Sequence, residues 1–140
     1  MSLKTFMSED ITSLPSTASV LDAAKFMTDM NVGTIIVTHE EVPSGMITDR
    51  DVVAKVLAQD KDSKTTKIEE IMVSPVVTIS EDKDIIDPTQ IMSSHGIRRL
   101  PVTDPQGKLA GVISLDDVLL VLGREMQNVA GILKKELEKE

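Results

Sequence analysis

The sequence predicts a mixed α/β (α+β) fold: one small unit written twice, each copy a three-stranded sheet with two helices. Three observations carry that expectation. First, a shift of 65 residues places Phe6-Met7-Ser8 on Ile71-Met72-Val73, Val20-Leu21-Asp22 on Ile85-Ile86-Asp87 and Phe26-Met27 on Ile91-Met92. The same shift brings Val32 onto Ile97 and Val37 onto Val102, and with one more residue in the second copy GMITDRDVV (45–53) lies on GVISLDDVL (111–119). Self-similarity at a fixed period marks a repeated structural unit. Second, each copy passes from a helical apolar period to short β-branched runs and back. Third, one copy has only about 55 residues, a marginal core on size grounds, so two copies paired through their open sheet faces are the natural solution.

The elements follow in order. Val20, Ala23, Ala24 and Met27 recur at helical spacing, and Ser19 with Asp22 supplies a capping box ahead of them. In the second copy Asp84 and Asp87 take those places. Pro88 then falls in the first turn, where the missing backbone donor predicts an irregular helix start. Residues 34–38 and 100–103 are β-branched or apolar runs that end in turn formers, and short strands follow at 45–48 and 110–114. Asp104-Pro105-Gln106-Gly107 is a turn by its chemistry. The last helix of each copy begins at Asp49 or Leu115. Between the copies, residues 59–67 are polar and lack apolar periodicity, which reads as a linker. Beyond the second copy Val118, Leu119, Leu122, Met126, Val129, Ile132, Leu133 and Leu137 continue a helical stripe, with Gly123 and Gly131 as weak points. The stripe is longer than the repeat needs. It fits packing along its own module and a contact with a second chain equally well.

Composition narrows the function classes. Fifteen basic against 23 acidic side chains give a net charge of -8, the wrong sign for gripping phosphate backbones over a broad face. With Phe6 and Phe26 as the aromatic residues, platforms for single strands are missing as well, and no nucleic-acid partner is expected. Apolar runs such as 35–37 and 118–122 fall far short of the ~20 residues a membrane-spanning helix requires, so no membrane partner is expected either. The N-terminal residues lack the pattern of a secretory signal, and Met1, Ser2 and Leu3 stand ahead of the repeat with their native origin left open. No cysteine is present, which suits a cytoplasmic protein. His39 and His95 are too few for a histidine metal site and have no nucleophile and base arranged around them. Neither a metal, a cofactor nor an enzymatic activity is expected. The recurring methionines read as core fillers.

The openings and closings of the copies carry a resemblance. IMVSPVVTIS (71–80), HGIRRLPVTD (95–104) and the pair GMITDRD (45–51) and GVISLDD (111–117) resemble the CBS domain, named after cystathionine beta-synthase, which occurs in tandem pairs called Bateman modules. The resemblance spans nearly all of residues 6–123. It implies a first repeat at 6–58, a linker at 59–70, a second repeat at 71–123 related to the first by a pseudo-twofold axis, and an amphipathic C-terminal helix at 124–140. It also implies an adenine nucleotide (AMP, ADP or ATP) as ligand, bound across the pair.

Thr48 with Asp51 and Ser114 with Asp117 repeat a hydroxyl and a carboxylate at one spacing, at the end of a strand and one turn into a helix. Such a pair suits the diol of a ribose, the carboxylate accepting two hydroxyl hydrogens; it also suits a plain helix cap. In CBS domains these positions contact ribose. Arg98 and Arg99 adjoin a strand, so alternation sends one of them to a given cleft, and the family pattern favours Arg99 as the phosphate ligand. The first copy has Gly33 and Thr34 there, which leaves Arg50 as its phosphate contact or none. His95 is a further phosphate candidate.

By the resemblance, the base lodges near the opening segment of the partner repeat. One site is therefore expected from Arg99, Ser114 and Asp117 with Ser13, and another from Thr48, Asp51 and Arg50 with Thr78. Ile11, Val76, Met46 and Val112 flank the adenine. The Asp117 site is expected to bind phosphorylated adenosine more tightly, because only the second copy places arginines, Arg98 and Arg99, where the family holds phosphate. The function that results is a regulatory sensor, dimeric through its apolar helix faces and acting on a separate effector protein or alone. A binder of S-adenosylmethionine and a dimerisation module without ligand are the alternatives.

Overall fold

The computed structural model describes residues 2–139 and contains two three-stranded sheets of one design. In the first, β1 (Ser13–Pro15) is parallel and β3 (Val42–Thr48) antiparallel to the central strand β2 (Thr34–His39). Parallel pairing needs a crossover, which α1 (Val20–Met30) supplies. Then α2 (Asp49–Val52) follows β3 and widens into a π-type turn, Val53–Leu57. The second sheet repeats the order with β4 (Ile79–Ser80), α3 (Asp87–His95), β5 (Arg99–Thr103), β6 (Leu109–Ser114) and α4 (Leu115–Glu138).

Local chemistry sets the boundaries. Ser19 Oγ accepts from the Asp22 amide at 3.0 Å to start α1, and Asn31 ends it in the left-handed conformation, where Gly96 ends α3. The irregular start of α3 is seen: it begins at Asp87, not at Ile85, the position matching Val20, because proline is tolerated only in a first helical turn. The Asp84 amide donates instead to Asp87 Oδ2 at 2.9 Å. In the β5–β6 turn Asp104 Oδ1 accepts from the amides of Gln106 and Lys108, each at 2.9 Å, and Gly107 takes a φ of 82°. The tips of the two hairpins meet. The Leu109 amide donates to Glu41 O at 2.9 Å, and Lys108 Nζ lies 3.0 Å from Glu41 Oε2; that hydrogen bond and charge raise the lysine's pKa.

Alternation along the central strands builds three layers. Ile35 and Val37 enter a core with Val20, Ala23, Met27, Ile47 and Val56, while the buried Ile36 faces the other side. Leu100 and Val102 enter the second core, and Pro101 faces away. Ile36 and Pro101 line one small cavity with Met46 and Val112, so the open faces of the two sheets meet each other.

Each core is closed by a turn that leads into the other copy. Leu3, on the 3-10 turn Leu3–Thr5, is fully buried in the second core beside Ile79, Met92 and Leu100. Ile68, on the turn Ile68–Glu70, is fully buried in the first. Matching backbone bonds tie both turns down: the Leu3 amide to Lys83 O at 2.8 Å, and the Ile68 amide to Ala18 O at 2.9 Å. Farther along, Ser8 bridges Val112 on β6 and Val73 bridges Met46 on β3. The stretch 59–70, read as a linker, therefore contains a core residue, Ile68, and Leu3 is a core residue ahead of the first copy. Among the described residues of the C-terminal helix, 124–140 in the sequence reading, the chain is an unbroken extension of α4, and every residue of 122–139 is exposed. Residue 140 lies outside the described residues.

Candidate ligand cleft

Thr48 ends β3 and Ser114 ends β6, each with an extended backbone that turns its hydroxyl toward the first amides of the following helix. Thr48 Oγ1 accepts from the Asp51 amide at 3.2 Å, and Asp51 Oδ2 accepts from the Thr48 amide at 2.9 Å. Ser114 and Asp117 repeat this at 3.1 and 2.9 Å. Both pairs are thus reciprocal capping boxes. Capping occupies one oxygen of each carboxylate and a lone pair of each hydroxyl, leaving Oδ1 and the hydroxyl proton for other partners. The two boxes differ at Oδ1. That of Asp51 lies 3.3 Å from Lys55 Nζ, which also donates to Ile71 O at 2.9 Å. In the second copy Val121 stands where Lys55 does and brings no charge.

A cavity of about 710 Å³ opens in front of Thr48 and Asp51. Gly33, Thr34, Met46 and Asp49 complete the wall from the first copy. The second copy contributes Val73, Pro75, Val76 and Val77 from its opening segment, and Ile97, Arg98 and Arg99 ahead of and on β5. The opening segment arrives there through the bridge between Val73 and Met46, whose bonds measure 2.9 and 3.0 Å. Gly45 makes that approach possible: a Cβ on it would sit 2.5 Å from Met72 Sδ and 2.9 Å from Val73 O. Gly111 stands in the same relation to Met7 and Ser8.

Both arginines line this one cavity, although alternation along a strand predicts that only one reaches a cleft. The reason is that β5 begins at Arg99, so Arg98 precedes the strand and its period of two. Arg98 meets Asp116 in a loose exposed pair at 3.9 Å. Among the described residues Arg99 has no ion pair or side-chain hydrogen bond. Arg99, expected with Ser114 and Asp117, thus lines the cavity in front of Asp51, where Arg50 was expected. Arg99 nevertheless remains directly across β5–β6 from Ser114.

Of the other expected contacts, Met46 and Val76 line the cavity, whereas Ser114, Asp117, Ile11, Ser13 and Thr78 do not. Ser13, on β1, pairs with Ile36 of β2, and Thr78 precedes β4. Val112 lines the smaller cavity of about 40 Å³ with Thr12, Thr34, Ile36, Met46, Arg99 and Pro101. Arg50 is exposed and lies outside the larger cavity; its amide donates to Asp49 Oδ1 at 2.8 Å. His95 is also outside, its Nδ1 3.0 Å from Ile91 O at the end of α3.

Sequence reasoning missed Asp49, whose Oδ2 lies 3.2 Å from where a Gly33 Cβ would be, and it missed Val73, Pro75 and Ile97. The signal for Gly33-Thr34 was present, because the repeat aligns them with Arg98-Arg99. The wall is charge-balanced, with two carboxylates and two guanidinium groups. Among the described residues no group of three His, Cys, Asp or Glu side chains is placed to hold a metal, and no helix is long and apolar enough to cross a membrane.

Two copies of one α/β unit, each closing the other's core and together walling one cavity, define a tandem-repeat module. The chain belongs to the CBS domain family, whose sequence model matches it twice, over residues 3–58 and 68–124. It is 34% identical to the CBS domain-containing protein YhcV of Bacillus subtilis over 84% of this chain and 82% of that protein. It is also 34% identical to an uncharacterised protein of Methanopyrus kandleri over 80% of this chain, but spans only 58% of that protein's length. Among solved structures, the CBS domain pair of protein MJ0100, in complex with 5-methylthioadenosine and S-adenosyl-L-methionine, superposes with a TM-score of 0.72. The identity is 28%, covering 89% of this chain and 98% of that one.

Proposed function

We propose that the chain is a regulatory sensor module that binds an adenine nucleotide, AMP, ADP or ATP, in the cleft between its repeats. The observation that supports this most directly is the cavity of about 710 Å³ walled by both copies, within the range of about 300–1,000 Å³ usual for small-molecule sites. Its chemistry suits the ligand in parts. Asp51 Oδ1 and the Thr48 hydroxyl proton suit a ribose diol, and Arg98 and Arg99 suit a phosphate. Met46, Val76 and Val77 offer apolar surface to the base.

A ligand touching both copies interacts differently with open and closed arrangements of the pair, which is the physical requirement for a switch. The reading is one of binding without turnover, in a cytoplasmic protein with access to the cellular nucleotide pool. The module works as a homodimer, through the exposed stripe on α4, and signals to a separate effector protein or within the chain's own assembly. S-adenosylmethionine is the second ligand reading. Asp49 favours it, as a carboxylate beside the arginines suits a ligand carrying both an ammonium and a carboxylate, and the MJ0100 pair holds that compound.

Mass spectrometry of small molecules released from the purified protein, followed by thermal shift with AMP, ADP, ATP and S-adenosylmethionine, tests the proposal. An adenine nucleotide in the released pool and a rise in melting temperature with it are expected. No shift with any of the four points instead to a dimerisation module without ligand.

A further inference from the structure

We infer that the two clefts of the module share a single cationic floor, so that the chain holds one phosphate-bearing ligand at a time. This rests on the reading of the clefts as adenosine sites and adds a rule of occupancy to it.

The repeat makes Gly33-Thr34 the counterpart of Arg98-Arg99, and all four residues line the cavity in front of Asp51. A wall that contains both members of a pseudo-symmetric pair lies on the axis that relates them. The smaller cavity has the same property, being lined by Thr34 with Arg99, Ile36 with Pro101 and Met46 with Val112. Applying the pseudo-twofold to the larger cavity gives a second cleft in front of Asp117, bounded by Ser114 and Thr12 and floored by the same Gly33, Thr34, Arg98 and Arg99. Arg99 is already the cross-strand neighbour of Ser114, the capping residue of that cleft.

The floor is therefore common to both clefts, and its guanidinium groups come from one copy only. Glycine and threonine supply no cation from the other. The second cleft is poorer still at its rim, where Asp10 replaces Pro75. A phosphate entering from the Asp51 side takes the arginines. A second phosphate then meets a like charge and finds no unoccupied guanidinium. Adenosine, which needs only the capping boxes, is not subject to this exclusion.

Calorimetry with AMP and with adenosine on the full chain tests the inference. One AMP per chain but two adenosines are expected, with adenosine still binding to AMP-saturated protein. Thr34→Arg, which gives the first copy its own guanidinium, should raise AMP occupancy to two. Two AMP molecules of equal affinity on the unaltered chain overturn the shared floor and leave the nucleotide reading intact. Absence of binding by both compounds overturns the nucleotide reading and the inference with it. Should Thr34→Arg not fold, the double variant Arg98→Gly, Arg99→Thr gives both copies the same floor residues. There AMP should lose roughly tenfold to hundredfold in affinity and bind no better than adenosine. Retained preference for AMP in that variant counts against the arginines as the floor.

Discussion

Asp51 and Arg99 divide the expected ligand between them, and their environments set what each substitution will do. Asp51 already accepts from the Thr48 amide and faces Lys55, so it is held in place before any ligand arrives. Replacement by alanine would remove the acceptor half of the capping box, worth about 0.3–1.5 kcal/mol, as well as a ligand contact. Asp51→Asn keeps an acceptor for the cap and isolates the second effect. At the Asp51 cleft it is expected to weaken AMP and adenosine alike in calorimetry while lowering the melting temperature little. Arg99 has no partner to leave unsatisfied among the described residues, so Arg99→Ala should be neutral for stability. The loss of a charge-assisted bond of about 1.5–3 kcal/mol should weaken AMP and leave adenosine unchanged. Equal losses for both compounds would remove Arg99 from the phosphate site.

The exchanged turns are the elements on which the fold depends. Leu3 and Ile68 are each fully buried in the core of a sheet to which their own strands do not belong. Truncating either to alanine should cost about 2–5 kcal/mol, read as a lower midpoint in urea. The damage should appear across the pair. Hydrogen exchange in Leu3→Ala is expected to rise first around β5 and α3, and in Ile68→Ala around β2 and α1. Gly45 makes a second element-scale prediction. Its Cβ would meet Val73 O, a backbone atom that is itself hydrogen-bonded to Met46. Gly45→Ala should therefore cost about 1–3 kcal/mol and, by pushing the opening segment off β3, weaken ligand binding as well. Unchanged melting and affinity in that variant would show that the bridge gives way without consequence.

At the scale of the whole molecule, an apolar surface that the fold leaves open runs along α4. On α4, Leu119, Leu122, Met126, Val129, Ile132, Leu133 and Leu137 are all exposed, and most recur at intervals of three and four residues. A narrow seam of this spacing is self-complementary, which suits a second copy of the same helix. Light scattering is expected to give the mass of a dimer at micromolar concentration. Met126→Glu with Leu133→Glu should return the mass of a monomer without lowering the melting temperature of the paired repeats, since neither side chain touches their cores. A monomer for the unaltered chain would leave the seam to some other partner.

Much of this was legible in the residues taken one after another. The duplication, the strands, the caps at Thr48 and Ser114 and the late start of α3 follow from local rules: periodicity, turn chemistry and the missing donor of Pro88. Those rules act within a few residues and hold in any tertiary setting. What they do not carry is which copy's side chain reaches which cleft. That Arg98 and Arg99 stand before Asp51, that Asp49 joins them, and that Leu3 and Ile68 each complete the opposite core depend on the crossing of two chain segments far apart in sequence. Only the packing of one copy against the other decides them, because the sheet faces and core ends left open by one unit have no cover until the second is present.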